Sequence, residues 1–430
     1  KSFNWIKRKV PKSVGKKVLG LGMKGIFVKP EYKRLYPSSP LAAHLLGFTG
    51  TDNRGLEGVE YSLNKVLYPD NHGNPDRAIV FGNNVHLTLN SDMQEACDFT
   101  LKQGVIEYQA EGGSIVIVDS KSGEILSMTN YPRYNNNQFS SHRASDFRNR
   151  AISDYYEPGS IFKLITAAIL IEEGLVTGQE KFLCTGHISV NNREIKCTGN
   201  HGWVTLSKAL KKSCNAAIVQ ASLRIDKQLF YDYLNRFEFG KKPGVELSGE
   251  TGGLLRPYDE LTQLSKGRIS FGYEIAVSPL QLAMAASVIA NGGYLLKPTI
   301  VKSLTNTNGQ VIRRHNIKAK RQILSTQTSD SLLRILENVM DDGGTGSRGR
   351  IRGLRIAGKT STVKLYNKRK RIYEDDKVHT AFLGIIPQAG RNLVILVLIR
   401  KPKTSYISSH VAVPVFKKLV DRLLDRGVIY

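Results

Sequence analysis

The chain has 430 residues, of which 41% are hydrophobic and 23% are charged. A chain of this length and composition is globular, has room for two or more domains and is not disordered as a whole. Lys and Arg total 62 against 37 Asp and Glu, a net charge of +25. This excess favours an anionic neighbour, such as a nucleic acid, an acidic membrane face or an anionic cell-wall polymer. No apolar run reaches the roughly 20 residues that a membrane span requires.

The basic residues concentrate in three runs, Lys7 to Lys17, Lys318 to Arg321 and Lys368 to Arg371. None of the runs is interleaved with aromatic residues as in a platform for single-stranded nucleic acid. The sequence also contains no zinc-finger, helix-turn-helix or RNA-module signature. We therefore interpret each run as solvated surface and expect no nucleic-acid partner.

The first part of the chain, residues 1–85, is rich in Gly, Lys, Tyr and Asn and contains only short helical patterns. Beyond it, a helical segment at 91–108 precedes a β-hairpin at 113–128 that turns at Ser122 and Gly123. The remaining predicted helices are 160–173, 206–223, 227–237, 279–291, 326–340 and 414–425, and the remaining predicted strands are 354–357, 362–365, 380–386 and 392–399. Strands at both ends of a helical middle predict an α+β domain over 86–430 whose terminal segments share one sheet.

One motif suggests nucleophilic catalysis. A Pro158-Gly159 turn leads to Ser160 at the start of an apolar helix, and Lys163 follows nearly one turn later on the same face. A serine hydroxyl needs a base, and a lysine half buried among apolar neighbours can have its pKa depressed far enough to serve as one. The competing interpretation is a helix-capping serine beside a lysine that extends its amino group to solvent.

Two further motifs follow along the chain, a Ser-x-Asn triplet that begins at Ser213 and a Lys-Thr-x triplet that begins at Lys359 on a predicted strand. The order Ser-x-x-Lys, Ser-x-Asn, Lys-Thr-x is similar to the order found in penicillin-binding proteins and serine β-lactamases. Similar short patterns occur elsewhere, with Ser-x-x-Lys beginning at Ser13, Ser62 and Ser361, and Lys-Ser-Gly and Lys-Thr-Ser beginning at Lys121 and Lys403. Order and local context favour Ser160, Ser213 and Lys359 over these alternatives.

With these motifs in place, the chain resembles the class B penicillin-binding proteins, the peptidoglycan transpeptidases of cell division or elongation. The resemblance also covers Gly55 to Glu60, Arg148 to Ala151, Ser270 to Tyr273 and Val277 to Leu282. It implies a penicillin-binding fold over 86–430, with a central five-stranded antiparallel sheet between helices. It also implies that residues 1–85 are the later part of an N-terminal pedestal, and it favours the division type.

The resemblance implies a role for each residue of the first two motifs. Ser160 would attack the carbonyl between two terminal D-alanines of a stem peptide, with Lys163 as the base. Ser213 would relay the proton to the leaving D-alanine, and Asn215 would hold the substrate amide and Lys163. An amine from a neighbouring stem would then take the acyl group, and β-lactams would stall at the acyl stage.

The third motif would bind the substrate. Lys359 would supply positive potential for the substrate carboxylate and Thr360 a hydroxyl for it, while the amides of Ser160 and Thr362 would form the oxyanion hole. No cofactor is implied. The implied partners are stem peptides, β-lactams, a glycan polymerase and membrane proteins of division or elongation. The implied location is the outer face of the inner membrane, with an N-terminal anchor expected upstream of this chain.

The chain departs from the family at Ser361, where the family normally has Gly after Lys-Thr. A Gly lets substrate approach the strand closely, whereas a Ser adds a side chain whose effect depends on the direction in which the pleat points it. It would narrow the site, lower β-lactam affinity or face away, and we favour the last.

The four cysteines, Cys97, Cys184, Cys197 and Cys214, contain no C-x-x-C pair, so the sequence predicts no ready-made zinc site. Cys184 and Cys197 flank a predicted hairpin at 188–195 with an Asn-Asn turn. They form either a disulfide or two free buried thiols. Cys214, inside the second motif, is expected to be buried rather than nucleophilic. His201 belongs to a segment that resembles a family turn, which implies a structural role.

Two other functions remain open at this stage. A serine β-lactamase or carboxypeptidase would pass the acyl group to water and would need a positioned base, for which the sequence offers no convincing candidate. A β-lactam sensor or a non-catalytic division scaffold would keep the fold, and the Ser361 departure leaves that alternative open. Labelling with a tagged penicillin separates these functions.

Overall fold

The computed structural model describes residues 4–68, 81–317, 319–367, 369–370 and 372–430. Lys318, Lys368 and Arg371 of the basic runs therefore lie outside the described residues. The helices are α1 (Lys12–Gly20), α2 (Ala43–Leu46), α3 (Gly58–Ser62), α4 (Asn64–Leu67), α5 (Ser91–Glu107), α6 (Arg150–Ser153), α7 (Lys163–Glu172), α8 (Leu206–Lys212), α9 (Asn215–Ser222), α10 (Lys227–Arg236), α11 (Gln263–Ile269), α12 (Pro279–Ala290), α13 (Thr326–Glu337) and α14 (Ala412–Asp425).

The strands are β1 (Asn84–Leu87), β2 (Gly112–Asp119), β3 (Ile125–Tyr131), β4 (Lys181–Cys184), β5 (His187–Val190), β6 (Arg193–Lys196), β7 (Gly202–Thr205), β8 (Tyr294–Leu296), β9 (Val301–Thr305), β10 (Val311–Arg314), β11 (Ala319–Gln322), β12 (Ala357–Asn367), β13 (Ile372–Gln388) and β14 (Arg391–Arg400). Among the described residues, no helix combines the length and the apolar character that crossing a membrane requires.

The central sheet has five antiparallel strands in the order β12-β13-β14-β2-β3. Its strands come from both ends of the α+β domain, as the sequence predicts, and the predicted fold class is confirmed. The predicted strand at 354–357 is wrong in its bounds, because β12 begins at Ala357 and runs through to Asn367 as one strand. β12 stands at the edge of the sheet, the position at which an extended ligand can add as a further strand.

Helices cover both faces of the sheet, which explains why β2 and β14 are almost continuously apolar rather than alternating. On one face α12 packs against β14 and β2. On the other face α14 packs against α5 and β13, through buried residues spaced by about one turn, including Phe416, Val420 and Leu423. The capping box of Ser278 and Gln281, with Pro at the first turn, explains why α12 begins where the sequence predicts.

The predicted single helix at 206–223 is wrong, because the structure divides it into α8 and α9. The break is at Ser213, whose φ of +57° lies in the left-handed region. A non-glycine residue in this conformation costs about 1–3 kcal/mol, a strain that clusters at functional sites. The interruption therefore falls on the second motif.

The N-terminal region packs against the Asn-rich loop that follows β3. Tyr36, Ala43 and Phe48 share a small buried cluster with Tyr134, and the Asn136 side chain donates hydrogen bonds to backbone carbonyls of the same region. The predicted domain boundary at residue 85 stays a prediction. It falls within β1, which pairs with β9.

Candidate active site

Ser160 lies on a tight turn that two glycines make possible. Gly159 has a φ of +54°, and a Cβ there would lie 2.4 Å from Val363 Cγ2. The Gly159 amide donates to the Gly272 carbonyl at 3.0 Å, and a Cβ at Gly272 would lie 2.1 Å from the Gly159 carbonyl oxygen. Both positions therefore require glycine. The turn Gly159–Phe162 leads directly into α7 and leaves Ser160 partly accessible to solvent.

Lys163 is fully buried at the start of α7. Its Nζ donates to the Ser213 carbonyl at 2.6 Å, to Asn215 Oδ1 at 2.7 Å and to Ser213 Oγ at 3.2 Å. Burial lowers the pKa of Lys163 to about 8, although neighbouring cysteines oppose the shift. This geometry excludes the alternative of a lysine that extends to solvent, and it provides an amine that can act as a base near neutral pH.

Lys359, on β12, contacts the same Ser213 hydroxyl that Lys163 contacts. Its Nζ donates to Ser213 Oγ at 2.9 Å and to the Thr360 carbonyl at 3.1 Å. Burial and then the charge of Lys163 lower its pKa well below the ordinary value for lysine. A serine hydroxyl has two acceptor lone pairs and one proton, so accepting from both lysines leaves the Ser213 proton available to another group.

Thr360 and Thr362, which are two positions apart on β12, contact different parts of the chain. Thr360 Oγ1 donates to Thr345 Oγ1 at 2.8 Å and is buried. Thr362 is exposed, and its Oγ1 accepts from the Ser408 amide at 3.0 Å.

Ser361 is buried between β12 and the nucleophile turn. Only 2% of its surface is exposed, and its Oγ donates to the Pro158 carbonyl at 2.7 Å. The side chain thus ties β12 to the turn that carries Ser160 and does not extend into solvent.

We expect Ser361→Gly to change the rate of acylation of Ser160 by a β-lactam less than tenfold. The reason is that the Ser361 side chain is buried against the Pro158 carbonyl and is not exposed to an incoming ligand. Stopped-flow acylation kinetics measure this. Ser361→Ala is the matched control, since it removes the bond to Pro158 and keeps the Cβ. A change of tenfold or more in Ser361→Gly, about 1.4 kcal/mol in the barrier, would contradict the expectation.

Some residues that hold the site were not recognised from the sequence. Gly272 lies in a segment that resembles the family, but the segment by itself did not reveal its contact with the nucleophile turn. The carboxylate of Glu157 accepts from the Glu274 amide at 2.9 Å and from the Tyr373 hydroxyl at 3.1 Å. No local sequence pattern signals the role of Tyr373, because it is more than 200 residues away along the chain.

The predicted hairpin is confirmed as β5 and β6, joined by Asn191 and Asn192, both with positive φ. All four cysteines are free thiols, so the Cys184–Cys197 disulfide alternative is not observed. The absence of a C-x-x-C pair, on which the expectation of no ready-made zinc site rests, did not signal a cluster formed by residues that are more widely spaced along the chain. The structure brings the ligand atoms of Cys184, Cys197, His201 and Cys214 within 4.8 Å of one another. Cys214 is buried, as expected.

A model of the penicillin binding protein transpeptidase domain matches residues 113–421. The chain belongs to the class B penicillin-binding proteins. Stage V sporulation protein D of Bacillus subtilis is 31% identical, over 98% of this chain and 68% of the relative. Peptidoglycan D,D-transpeptidase FtsI of Escherichia coli K12 is 30% identical, over 98% of this chain and 72% of the relative.

A solved structure is similar over most of the chain. Penicillin binding protein 3 of Mycobacterium tuberculosis superposes with a TM-score of 0.85 and 29% identity, over 92% of this chain and 90% of that one. The same protein has been solved in complex with aztreonam and with ampicillin. These relatives agree with the penicillin-binding fold and favour the division type among class B proteins.

Proposed function

We propose that the chain is a peptidoglycan D,D-transpeptidase that crosslinks stem peptides through an acyl-enzyme on Ser160. The observation that carries the proposal is the convergence of two buried lysine side chains, those of Lys163 and Lys359, on the hydroxyl of Ser213. Lys163 follows the nucleophile Ser160 by three residues, at the start of α7. Three motifs that are far apart in the sequence thereby form one catalytic arrangement.

The geometry supports a specific course for the proton. Neutral Lys163 takes the proton of Ser160 as its Oγ attacks the carbonyl of the penultimate D-alanine. The Ser213 hydroxyl donates its proton to the departing D-alanine amine and takes one from the protonated Lys163, which becomes neutral again. Asn215 keeps the Lys163 amine in place. The amine of a second stem peptide then attacks the ester and gives up a proton to Lys163, which passes it to the departing Ser160 Oγ, so that Ser160 is regenerated and the crosslink is formed.

Residues of β12 support substrate binding. We assign the substrate carboxylate to Lys359 and Thr360, and the oxyanion to the amides of Ser160 and Thr362. A β-lactam places a carbonyl and a carboxylate at the same relative positions as the D-alanyl-D-alanine end. Complexes of the M. tuberculosis relative with ampicillin and aztreonam support β-lactam binding by this chain.

Hydrolysis of the acyl-enzyme is the competing function. It would need a free carboxylate or another base to activate water. Glu157 is the carboxylate three residues before the nucleophile, and it is already engaged by the Glu274 amide and the Tyr373 hydroxyl. This engagement favours a long-lived acyl-enzyme that waits for an amine, as in transfer rather than hydrolysis.

A tagged penicillin tests the proposed function. We expect stable labelling of the wild-type chain and none of Ser160→Ala. Ser13→Ala is the matched control, because Ser13 also begins a Ser-x-x-Lys pattern and labelling should persist there. Crosslinked product from a pentapeptide donor and an amine acceptor completes the test. Unlabelled wild type would leave only the scaffold function, and rapid loss of label would indicate hydrolysis.

The remaining assignments follow from family membership. We propose that residues 1–85 are part of the pedestal, that the chain acts on the outer face of the inner membrane, and that it pairs with a glycan polymerase and membrane proteins of division. Its net charge of +25 suits an anionic cell-wall polymer. Co-purification of the native protein with a polymerase would support the partnership, and its consistent absence would contradict it.

A further inference from the structure

Beside the active site, four side chains from four separate segments meet at one point. They are Cys184 at the end of β4, Cys197 after β6, His201 before β7 and Cys214 at the N-terminus of α9. We propose that these four side chains bind one Zn²⁺ ion, and that the ion holds the second catalytic motif in position. The positional part of this inference rests on the function proposed above, whereas the ion-binding part does not.

Three of the distances between the four ligand atoms match tetrahedral coordination, and all of the distances are within 4.8 Å. Cys197 Sγ lies 3.7 Å from Cys214 Sγ, and His201 Nδ1 lies 3.5 Å from Cys184 Sγ and 3.6 Å from Cys197 Sγ. With Zn–S near 2.3 Å and Zn–N near 2.0 Å, a tetrahedron separates two sulfurs by about 3.8 Å and sulfur from nitrogen by about 3.5 Å. The observed spacings therefore leave room for an ion at the centre.

The chemistry of the donors favours zinc. Three thiolates and one neutral imidazole form a Cys₃His set, which is typical of closed structural zinc sites. Two backbone amides point at the sulfurs: the Asn215 amide donates to Cys197 Sγ at 3.2 Å and the Ala217 amide to Cys214 Sγ at 3.4 Å. Such bonds stabilise thiolates and orient them. Cys184 and Cys214 are fully buried, so the ion would be shielded from solvent.

The local fold explains why an ion would be useful here. The segment from β4 to β7 forms two separate two-stranded sheets, β4 with β7 and β5 with β6. A two-stranded sheet is marginally stable by itself. Leu183 and Trp203 in this segment are exposed, so they contribute little to a core. The buried residues of the same segment include Phe182, Val190, Ile195 and Val204. An ion that joins both sheets to α9 would add a further link to this packing, as structural metals do in small domains.

The site is continuous with the catalytic motif. Cys214 lies between Ser213 and Asn215, and the amide of Asn215 binds the sulfur of Cys197. The Asn215 side chain also donates to the Lys196 carbonyl at 3.0 Å. Fixing Cys197 and Cys214 on one ion therefore fixes the backbone that presents Ser213 and Asn215 to Lys163. The Cys and His ligands are positioning residues and do not contact substrate.

Metal content provides the first test. The full chain, purified under reducing conditions with zinc supplied, should contain one zinc per chain by mass spectrometry of the metal. Cobalt substitution should give the thiolate charge-transfer band and the strong ligand-field bands of a tetrahedral site. Cys214→Ser and His201→Asn should each lower zinc content below half, and Cys97→Ala, a buried cysteine outside the cluster, should retain it.

Two results would overturn the ion-binding proposal. In the first, the folded wild-type chain contains no zinc even when zinc is supplied at a saturating concentration, and all three cysteines of the cluster react with an alkylating reagent. The other is an intact mass two hydrogens lower, with a disulfide between two of these cysteines. Both results are measured on the wild-type chain, so this test does not depend on whether a variant folds. Both results are also independent of whether the chain is acylated.

A separate measurement tests whether the ion holds the second motif in position. Chelation of zinc should lower the rate constant for acylation of Ser160 at least tenfold, with a smaller change in the affinity for the unreacted β-lactam. Readdition of zinc should restore the rate. A chain that loses its zinc, stays folded and acylates at an unchanged rate would overturn the positional role. If the chain binds zinc but never acylates, the proposed function fails and the zinc site stands.

Discussion

Replacing Lys163 with Met should lower the rate constant for acylation of Ser160 by about 10²–10⁴, the contribution expected of a positioned general base. Methionine approximates the length of the buried lysine stem and removes only the amine. The Nζ of Lys163 makes hydrogen bonds to three acceptors, and these would be left without their donor. Stopped-flow or quenched labelling with a tagged penicillin measures the rate.

Lys266→Met is the matched control for this prediction. Lys266 is also buried, with 1% of its surface exposed, and its Nζ donates to the Ile225 carbonyl at 2.5 Å, outside the active site. Both variants remove a buried amine and orphan backbone carbonyls, so similar changes in the free energy of unfolding are expected. Only Lys163→Met should lose acylation. If the two variants were acylated at comparable rates, Lys163 would not be the base that activates Ser160.

The pH dependence of the wild type adds a second readout. Lys163 accepts a proton only when it is neutral, and burial places its pKa at about 8. Acylation should therefore rise as the pH passes through about 8 and level off above it. The groups that face Lys163 and influence this profile are Lys359 and the cysteines of the cluster. Lys163→Met should flatten the rise.

Replacing Ser213 should separate catalysis from stability. Ser213→Ala and Ser213→Gly both remove the hydroxyl that lies between Lys163 and Lys359, and both should lower the acylation rate by about 10²-fold or more. Their stabilities should differ, because Ser213 has a φ of +57° and glycine adopts this region freely. We expect the Gly variant to be more stable than the Ala variant by about 1 kcal/mol.

Acylation kinetics and thermal or denaturant unfolding check this pair of variants. Equal loss of rate with unequal stability would show that the hydroxyl, and not the backbone conformation, carries the catalytic effect. If either variant retained the wild-type rate, Ser213 would not relay the proton. If the Ala variant were the more stable one, the left-handed conformation would not be a source of strain.

Contacts between residues that are close together in the sequence were predictable. The Pro-Gly turn, the apolar helix and the three-residue spacing of Ser160 and Lys163 lie within one continuous segment, so the helix alone places them on one face. The start of α12 at Pro279 and the Asn-Asn turn of the β5–β6 hairpin are equally local, and both agree with the prediction. Strand bounds were predicted less well, because pairing with β13 and not local pattern decides where β12 begins.

The break between α8 and α9 shows why local pattern was insufficient. The apolar periodicity over 206–223 is continuous enough to suggest one helix, and propensity offers no reason to stop at Ser213. The stop is enforced by the tertiary structure, because the Ser213 carbonyl and hydroxyl are engaged by two lysines from α7 and β12. A tertiary requirement overrides helix propensity here.

By itself, the sequence determined the identity and order of the three motifs and predicted the α+β class, because both rest on residue type, spacing and local periodicity, and the resemblance of these motifs and their flanking segments to known proteins indicated the family. Only the tertiary structure decided that Lys163 and Lys359 converge on one hydroxyl, that Ser361 lies beneath the strand, and that three cysteines and a histidine surround one point. The physical reason is that these contacts join segments separated by many residues. Their meeting depends on how sheets and helices pack, which no local pattern encodes.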